Sequence, residues 1–288
     1  MKSRWQSRQI RALGFLCGLT ALLLTGCQTI QTTQPGAVGV TRTQSIMGDH
    51  TQGTREMNQE SALAYTTTIK DAQKKNQLNP DKAQTERVRR IADRLIPQVV
   101  IFRPDARSWA WEVNVIESKE INAWCMPGGK IAVFTGLIEQ LKLTDDELAA
   151  VIGHEISHAL REHALERKPR VLAAQVGSIG LLLGGAFMGI DIPPDLANSA
   201  SMAALALPNS REQETEADRM GLELAARAGF DPRAAVTLWQ KMGQAGGSAP
   251  PKILSSHPPS EERQADLRAT SQVVMPLYEE ARKNGTPR

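Results

Sequence analysis

The chain has 288 residues, with 34 Lys and Arg against 31 Asp and Glu for a formal charge of +3. This near-balance excludes an acidic tail protein and a strongly basic nucleic-acid binder, and 22 Gly with 16 Pro fall short of fibrous or low-complexity composition. Apolar residues make up 41%, enough to bury one sizeable core.

The basic excess has a location. Residues 1–26 contain Lys2, Arg4, Arg8 and Arg11 and no acid, so a charge of −1 remains when these four are taken from the +3. An apolar run from Ala12 to Leu24 follows, too short to span a bilayer comfortably, and the two parts read as a secretory signal. Leu24-Thr25-Gly26-Cys27 then resembles the lipobox of bacterial lipoproteins. That resemblance implies a signal peptide over 1–26, acylation of Cys27, and attachment of the protein to a membrane through its N-terminal lipid. Gln28, where Asp would imply otherwise, points by the same likeness to the outer membrane of a Gram-negative cell, with the protein facing the periplasm. Cys17 leaves with the leader, so Cys125 is the one thiol left for the domain and is expected to fill core space.

Residues 27–58 are rich in Thr, Gln and Gly without an apolar period, which predicts a flexible tether in which His50 is inert. The domain is expected over 59–288. Helical spacing recurs over about 55–75 and 81–100, the latter through Val88, Ile91, Ala92, Leu95 and Ile96. Alternation from Trp109 to Val115 predicts a strand, and 121–125 and 131–135 read as two more around the Pro127-Gly128-Gly129 turn. Thr144-Asp145-Asp146-Glu147 fits a capping box that opens a helix to about His163. The Gly-rich apolar stretch 171–190 predicts a mobile or partly buried hairpin, a lid over the site. Further helices are expected over about 209–229, from Asp231-Pro232 to Met242, and from Ser260 toward Glu280. The pattern is that of an α+β, mostly helical domain with a small antiparallel sheet.

His154-Glu155-Ile156-Ser157-His158 carries the chemistry. Two histidines four apart on a helix differ by about 40° in azimuth and ~6 Å along the axis, so both rings reach one point, half of a tetrahedral zinc site. A catalytic zinc needs a third protein ligand from a facing element and one open position. Glu214 and Asp218 share a face of a later helix, where Ala217 and Gly221 permit close approach: one carboxylate can bind metal and the other can hold the outer N–H of a ligating histidine. His163, five residues beyond His158, is expected to face away toward solvent.

Together, HExxH and the later Glu214-Thr215-Glu216-Ala217-Asp218 resemble the zinc metallopeptidase family of HtpX and the CAAX prenyl endopeptidases, whose ExxAD motif they match. Asn122-Ala123-Trp124-Cys125-Met126-Pro127-Gly128-Gly129 and Ser256-His257-Pro258-Pro259 extend the likeness over roughly 85–270, nearest to the periplasmic lipoprotein branch that includes BepA and LoiP. The resemblance implies one zinc per chain held by His154, His158 and Glu214, with Glu155 as general base and Asp218 behind His154. His257 is either an oxyanion-stabilising catalytic group or a latch on the open zinc position. The implied function is zinc-dependent endoproteolysis of misfolded or unassembled envelope proteins, with protein or peptide substrates and outer-membrane assembly machinery as partners. A second reading is an assembly factor or chaperone with a latched or structural zinc. No phosphate loop or basic aromatic patch suggests a nucleic-acid partner.

Overall fold

A computed structural model describes residues 27–171, 208–245 and 251–284. The leader 1–26 and nearly all of the expected 171–190 hairpin lie outside the described residues. Among the described residues no helix is long and apolar enough to cross a membrane.

The chain enters through a short antiparallel pair, β1 (Cys27–Ile30) and β2 (Gln44–Met47), in which Cys27 faces Met47. This corrects the expectation of a structureless tether. Val40 and Ile46 are buried, and Gln34 N–H donates to the Phe102 carbonyl at 2.7 Å. The segment lacks an apolar period because polar groups dock it: Arg42 and Gln44 each donate to Glu166. Helix α1 (His50–Lys74) starts under the Asp49 cap, and α2 (Lys82–Leu95) under Asp81, whose carboxylate accepts from Ala83 N and Gln84 N. The apolar stripe Val88, Ile91, Leu95 of α2 is buried in the main core, as its spacing predicts. Pro97 falls just beyond α2, where the chain tightens into a 3₁₀ turn over Ile96–Ile101.

Three strands, β3 (Glu112–Ile116), β4 (Ala123–Met126) and β5 (Lys130–Phe134), form a sheet in the order β3-β5-β4. The α+β class holds, but the sheet is mixed rather than antiparallel throughout: β4 and β5 are an antiparallel hairpin, while β3 pairs β5 in parallel. The residues between β3 and β4 cross back over, so that both strands flank β5. The hairpin turns at Gly128 and Gly129, with φ of +83° and +84°. A Cβ at Gly129 would lie 2.7 Å from the Trp111 ring, so this glycine is required twice over. The turn leaves β4 on the sheet edge.

Behind the sheet, and after the short α3 (Thr135–Gln140), lies α4 (Asp145–Leu160), buried from Glu147 to its end. Its predicted capping box is formed: Thr144 Oγ1 accepts from Glu147 N at 3.2 Å and Glu147 Oε2 accepts from Thr144 N at 2.9 Å. The later helix α5 (Arg211–Arg227) opens on a second capping box, Ser210 with Gln213. The two helices cross at Gly153 and Gly221, where a Cβ on Gly221 would stand 2.8 Å from the His154 backbone nitrogen. That contact of backbone on backbone sets the depth at which side chains from both helices meet. Helix α6 (Ala234–Gln244), the short α7 (Lys252–Ser256) and α8 (Glu261–Lys283) complete the described chain; Leu238, Ile253 and Val274 join the same core.

Candidate metal centre

His154 and His158 sit one turn apart on α4, and their Nε2 atoms are 3.0 Å from each other. Glu214, in the first turn of α5, brings Oε2 to 3.4 Å from His154 Nε2 and Oε1 to 3.3 Å from His158 Nε2. His257, at the end of α7, places Nδ1 3.2 Å from His154 Nε2 and 2.9 Å from Glu214 Oε1. All four residues are buried, and one ligand atom from each falls within 4.8 Å of every other. Zinc bonds of ~2.0–2.1 Å in a tetrahedron require ligand atoms ~3.3 Å apart. Four of the separations, counting either Glu214 oxygen, are 2.9–3.4 Å and close to that spacing, and three ring nitrogens with one carboxylate are a zinc-type ligand set.

The outer contacts are also formed. His154 Nδ1 lies 2.9 Å from Asp218 Oδ1, the place expected for that carboxylate. Electrostatically the pocket calls for positive charge. Burial opposes a charged His154, yet Asp218 and Glu214 raise its pKa to about 10. Burial would raise Glu214 too, but His257 and His154 hold it well below the carboxylate range. His158, with less compensation for its burial, is pushed well below the usual imidazole value.

Glu155, the next residue after His154, is buried beside the cluster, its Oε1 3.5 Å from His257 Nε2. Burial raises its pKa above the ordinary carboxylate value. Glu155, His158 and His257 line a cleft that is also lined by β4 from Ala123 to Met126. Cys125 lies on that strand, buried as expected, and burial keeps its thiol well above its usual pKa and therefore protonated.

Four residues enter that sequence reasoning passed over or misplaced. Arg263 grips Asp218 with Nε and Nη2, at 2.8 and 2.9 Å, and sets Nη1 2.9 Å from Glu214 Oε2. The available signal was a cation in the first turn of a helix, where the dipole disfavours it unless carboxylates compensate. Asn209 Nδ2 donates to Glu214 Oε1 at 2.7 Å and lies 3.2 Å from His257 Nδ1. His163 is fully buried against His158, not exposed. Helix α4 stops at Leu160, and Glu162 takes the left-handed conformation, φ +55°, which swings His163 back toward the site. His50 is likewise not inert: with Thr54 and Arg103 it holds the Glu162 carboxylate, its Nε2 2.6 Å from Oε2.

The family model of peptidase family M48 matches residues 82–271. The chain belongs to that family. Similar curated proteins include the mitochondrial metalloendopeptidase OMA1 of Arabidopsis thaliana, 41% identical over 180 residues, which cover 62% of this chain and 35% of that protein. OMA1 of Schizosaccharomyces pombe is 37% identical over 155 residues, covering 53% of this chain and 44% of that protein. The beta-barrel assembly-enhancing protease of Escherichia coli K12 is 33% identical over 174 residues, covering 57% and 35%. The chain thus spans less than half the length of each of these relatives. The matched M48 region contains all four cluster residues, Glu155, Asp218 and Arg263.

Proposed function

We propose that this chain is a zinc metalloendopeptidase that cleaves misfolded or unassembled envelope proteins. The observation that carries the reading is the buried convergence of His154, His158, Glu214 and His257 with Glu155 alongside. Zinc, when bound, would acidify an attacking water toward a pKa of ~7 and polarise the peptide carbonyl. Glu155 accepts the proton released as water adds to the carbonyl carbon, then returns it to the leaving amine nitrogen. A carboxylate whose pKa is raised by burial is suited to giving the proton back. Asp218 orients His154, and Arg263 steadies both Asp218 and Glu214. An extended substrate pairs with the free edge of β4 through main-chain hydrogen bonds, which favours unfolded segments over a sequence motif.

His257 Nδ1 lies beside His154 and Glu214, from where it could fill the position that a working zinc centre leaves open. This supports the latch role over the oxyanion role, and also favours the second reading, an assembly factor with a closed zinc. The His257→Ala variant separates them. A latch populated at about 90–99% predicts a ~10–100-fold gain in cleavage of an unfolded protein. An oxyanion group predicts a loss, and a structural zinc predicts no cleavage by either protein.

The lipobox-like leader and the likeness to the beta-barrel assembly-enhancing protease support an outer-membrane lipoprotein facing the periplasm, working beside outer-membrane assembly machinery. Cys27 is exposed, as acylation requires. Cells fed a labelled fatty acid are expected to label the wild-type chain and not Cys27→Ser; equal labelling would rule out the anchor.

A further inference from the structure

The peptidase reading leaves one set of buried contacts unused. His158 aims Nε2 into the cluster, while its other nitrogen, Nδ1, lies 2.7 Å from His163 Nδ1. His163 Nε2 in turn lies 3.0 Å from Glu216 Oε2. A ligating Nε2 carries no proton, so the proton of neutral His158 sits on Nδ1 and is donated to His163 Nδ1. His163 then holds its own proton on Nε2 and donates it to Glu216. The opposite tautomer of His163 would set two protons against each other at 2.7 Å.

Glu216 is fixed in its turn. Arg161 Nε donates to Oε2 at 3.0 Å, and Arg42 donates to Oε1 from Nε at 2.5 Å and to Oε2 from Nη2 at 3.0 Å. Arg42 also reaches both oxygens of Glu166, at 2.5 and 3.0 Å. Two arginines thus face two carboxylates, so the partly buried network is balanced in charge. Arg42 comes from the segment between β1 and β2. The same segment receives Arg161: its Nη2 donates to the Arg42 carbonyl at 2.8 Å and its Nη1 to Thr33 Oγ1 at 3.1 Å.

We propose that His163 and Glu216 are positioning residues for His158, and that the N-terminal segment, through Arg42, holds this relay in place. The inference rests on the metal-centre reading above. Outer partners of this kind fix the tautomer and ring orientation of a ligating histidine, and losing one costs about 10–100-fold in metal affinity.

The test measures zinc affinity of the purified full chain by competition with a chromophoric chelator, alongside the visible spectrum of the cobalt-loaded protein. His163→Phe keeps the ring bulk and removes the acceptor; it is expected to weaken zinc ~10–100-fold and to shift the cobalt bands. His163→Gln, whose amide oxygen can accept from His158, is expected to recover part of the loss. Arg42→Met is expected to weaken zinc by a smaller factor. The double variant His163→Phe with Glu216→Gln is expected to be no weaker than His163→Phe, because Glu216 acts through His163. Wild-type affinity and spectrum in His163→Phe would overturn the proposal while leaving the metal centre standing. Wild-type affinity in Arg42→Met would overturn the part assigned to the N-terminal segment. Failure of the wild type to bind zinc would overturn both readings together. Should His163→Phe not fold by circular dichroism, histidine ¹⁵N NMR of the zinc-loaded wild type decides: protons on His158 Nδ1 and His163 Nε2 support the relay, and the reverse tautomers overturn it.

Discussion

Glu155→Gln is expected to retain its zinc and its fold while cleaving an unfolded protein about 10²–10⁴-fold more slowly than the wild type. At ~1.36 kcal/mol per factor of ten, that is roughly 3–5 kcal/mol of transition-state stabilisation. The glutamine matches glutamate in shape and cannot take up a proton at neutral pH. The position suits such a comparison: among the described residues Glu155 Oε1 accepts no hydrogen bond, and His257 Nε2 lies 3.5 Å from it. Equal cleavage by both proteins, each with one zinc, would end the assignment of Glu155 as base.

Gly221→Ala should damage the fold and the metal centre together. The added carbon would stand 2.8 Å from His154 N and 3.0 Å from the Gly153 carbonyl carbon, both backbone atoms of a buried helix that cannot swing aside. Overpacking of this kind costs about 1–3 kcal/mol. Separating α4 from α5 also moves the two imidazoles away from Glu214, so zinc affinity is expected to fall in the same variant. Gly243→Ala supplies the control. It too lies in a helix, α6, but its added carbon meets nothing within 4 Å, so the protein should gain up to ~1 kcal/mol from helix propensity. Thermal melts of the two variants check this; a Gly221→Ala protein as stable as the wild type would show that the helix crossing is not as tight as described.

Much of the centre was legible because its signals are local. Residues four apart on a helix share a face whatever surrounds them, so His154 with His158, and Glu214 with Asp218, were readable as pairs. The capping box expected at Thr144 is equally short-range, and it forms. His163 was misplaced because a regular helix was assumed beyond His158. The left-handed residue that redirects it, Glu162, is stabilised by His50, Thr54 and Arg103, at least 59 residues distant along the chain. The N-terminal segment was misjudged for a related reason. Apolar periodicity reports burial of hydrocarbon, whereas Arg42, Gln44 and Thr33 are docked by ion pairs and hydrogen bonds, which leave no period. Nor did strand alternation reveal that β3 would run parallel to β5, since a period of two is the same in either direction.

Spacing and residue type alone thus marked out two pairs of side chains, His154 with His158 and Glu214 with Asp218, and the kind of metal such groups suit, because those properties follow from one helical turn and from side-chain chemistry; the part given to Glu155 came from the family resemblance. Folding settled how the pairs meet: Gly153 against Gly221, Arg263 behind both carboxylates, His257 beside His154 and His163 behind His158. Each of these joins distant stretches of chain or depends on a single backbone reversal, and contacts of that kind are created by packing rather than by any pattern along the chain.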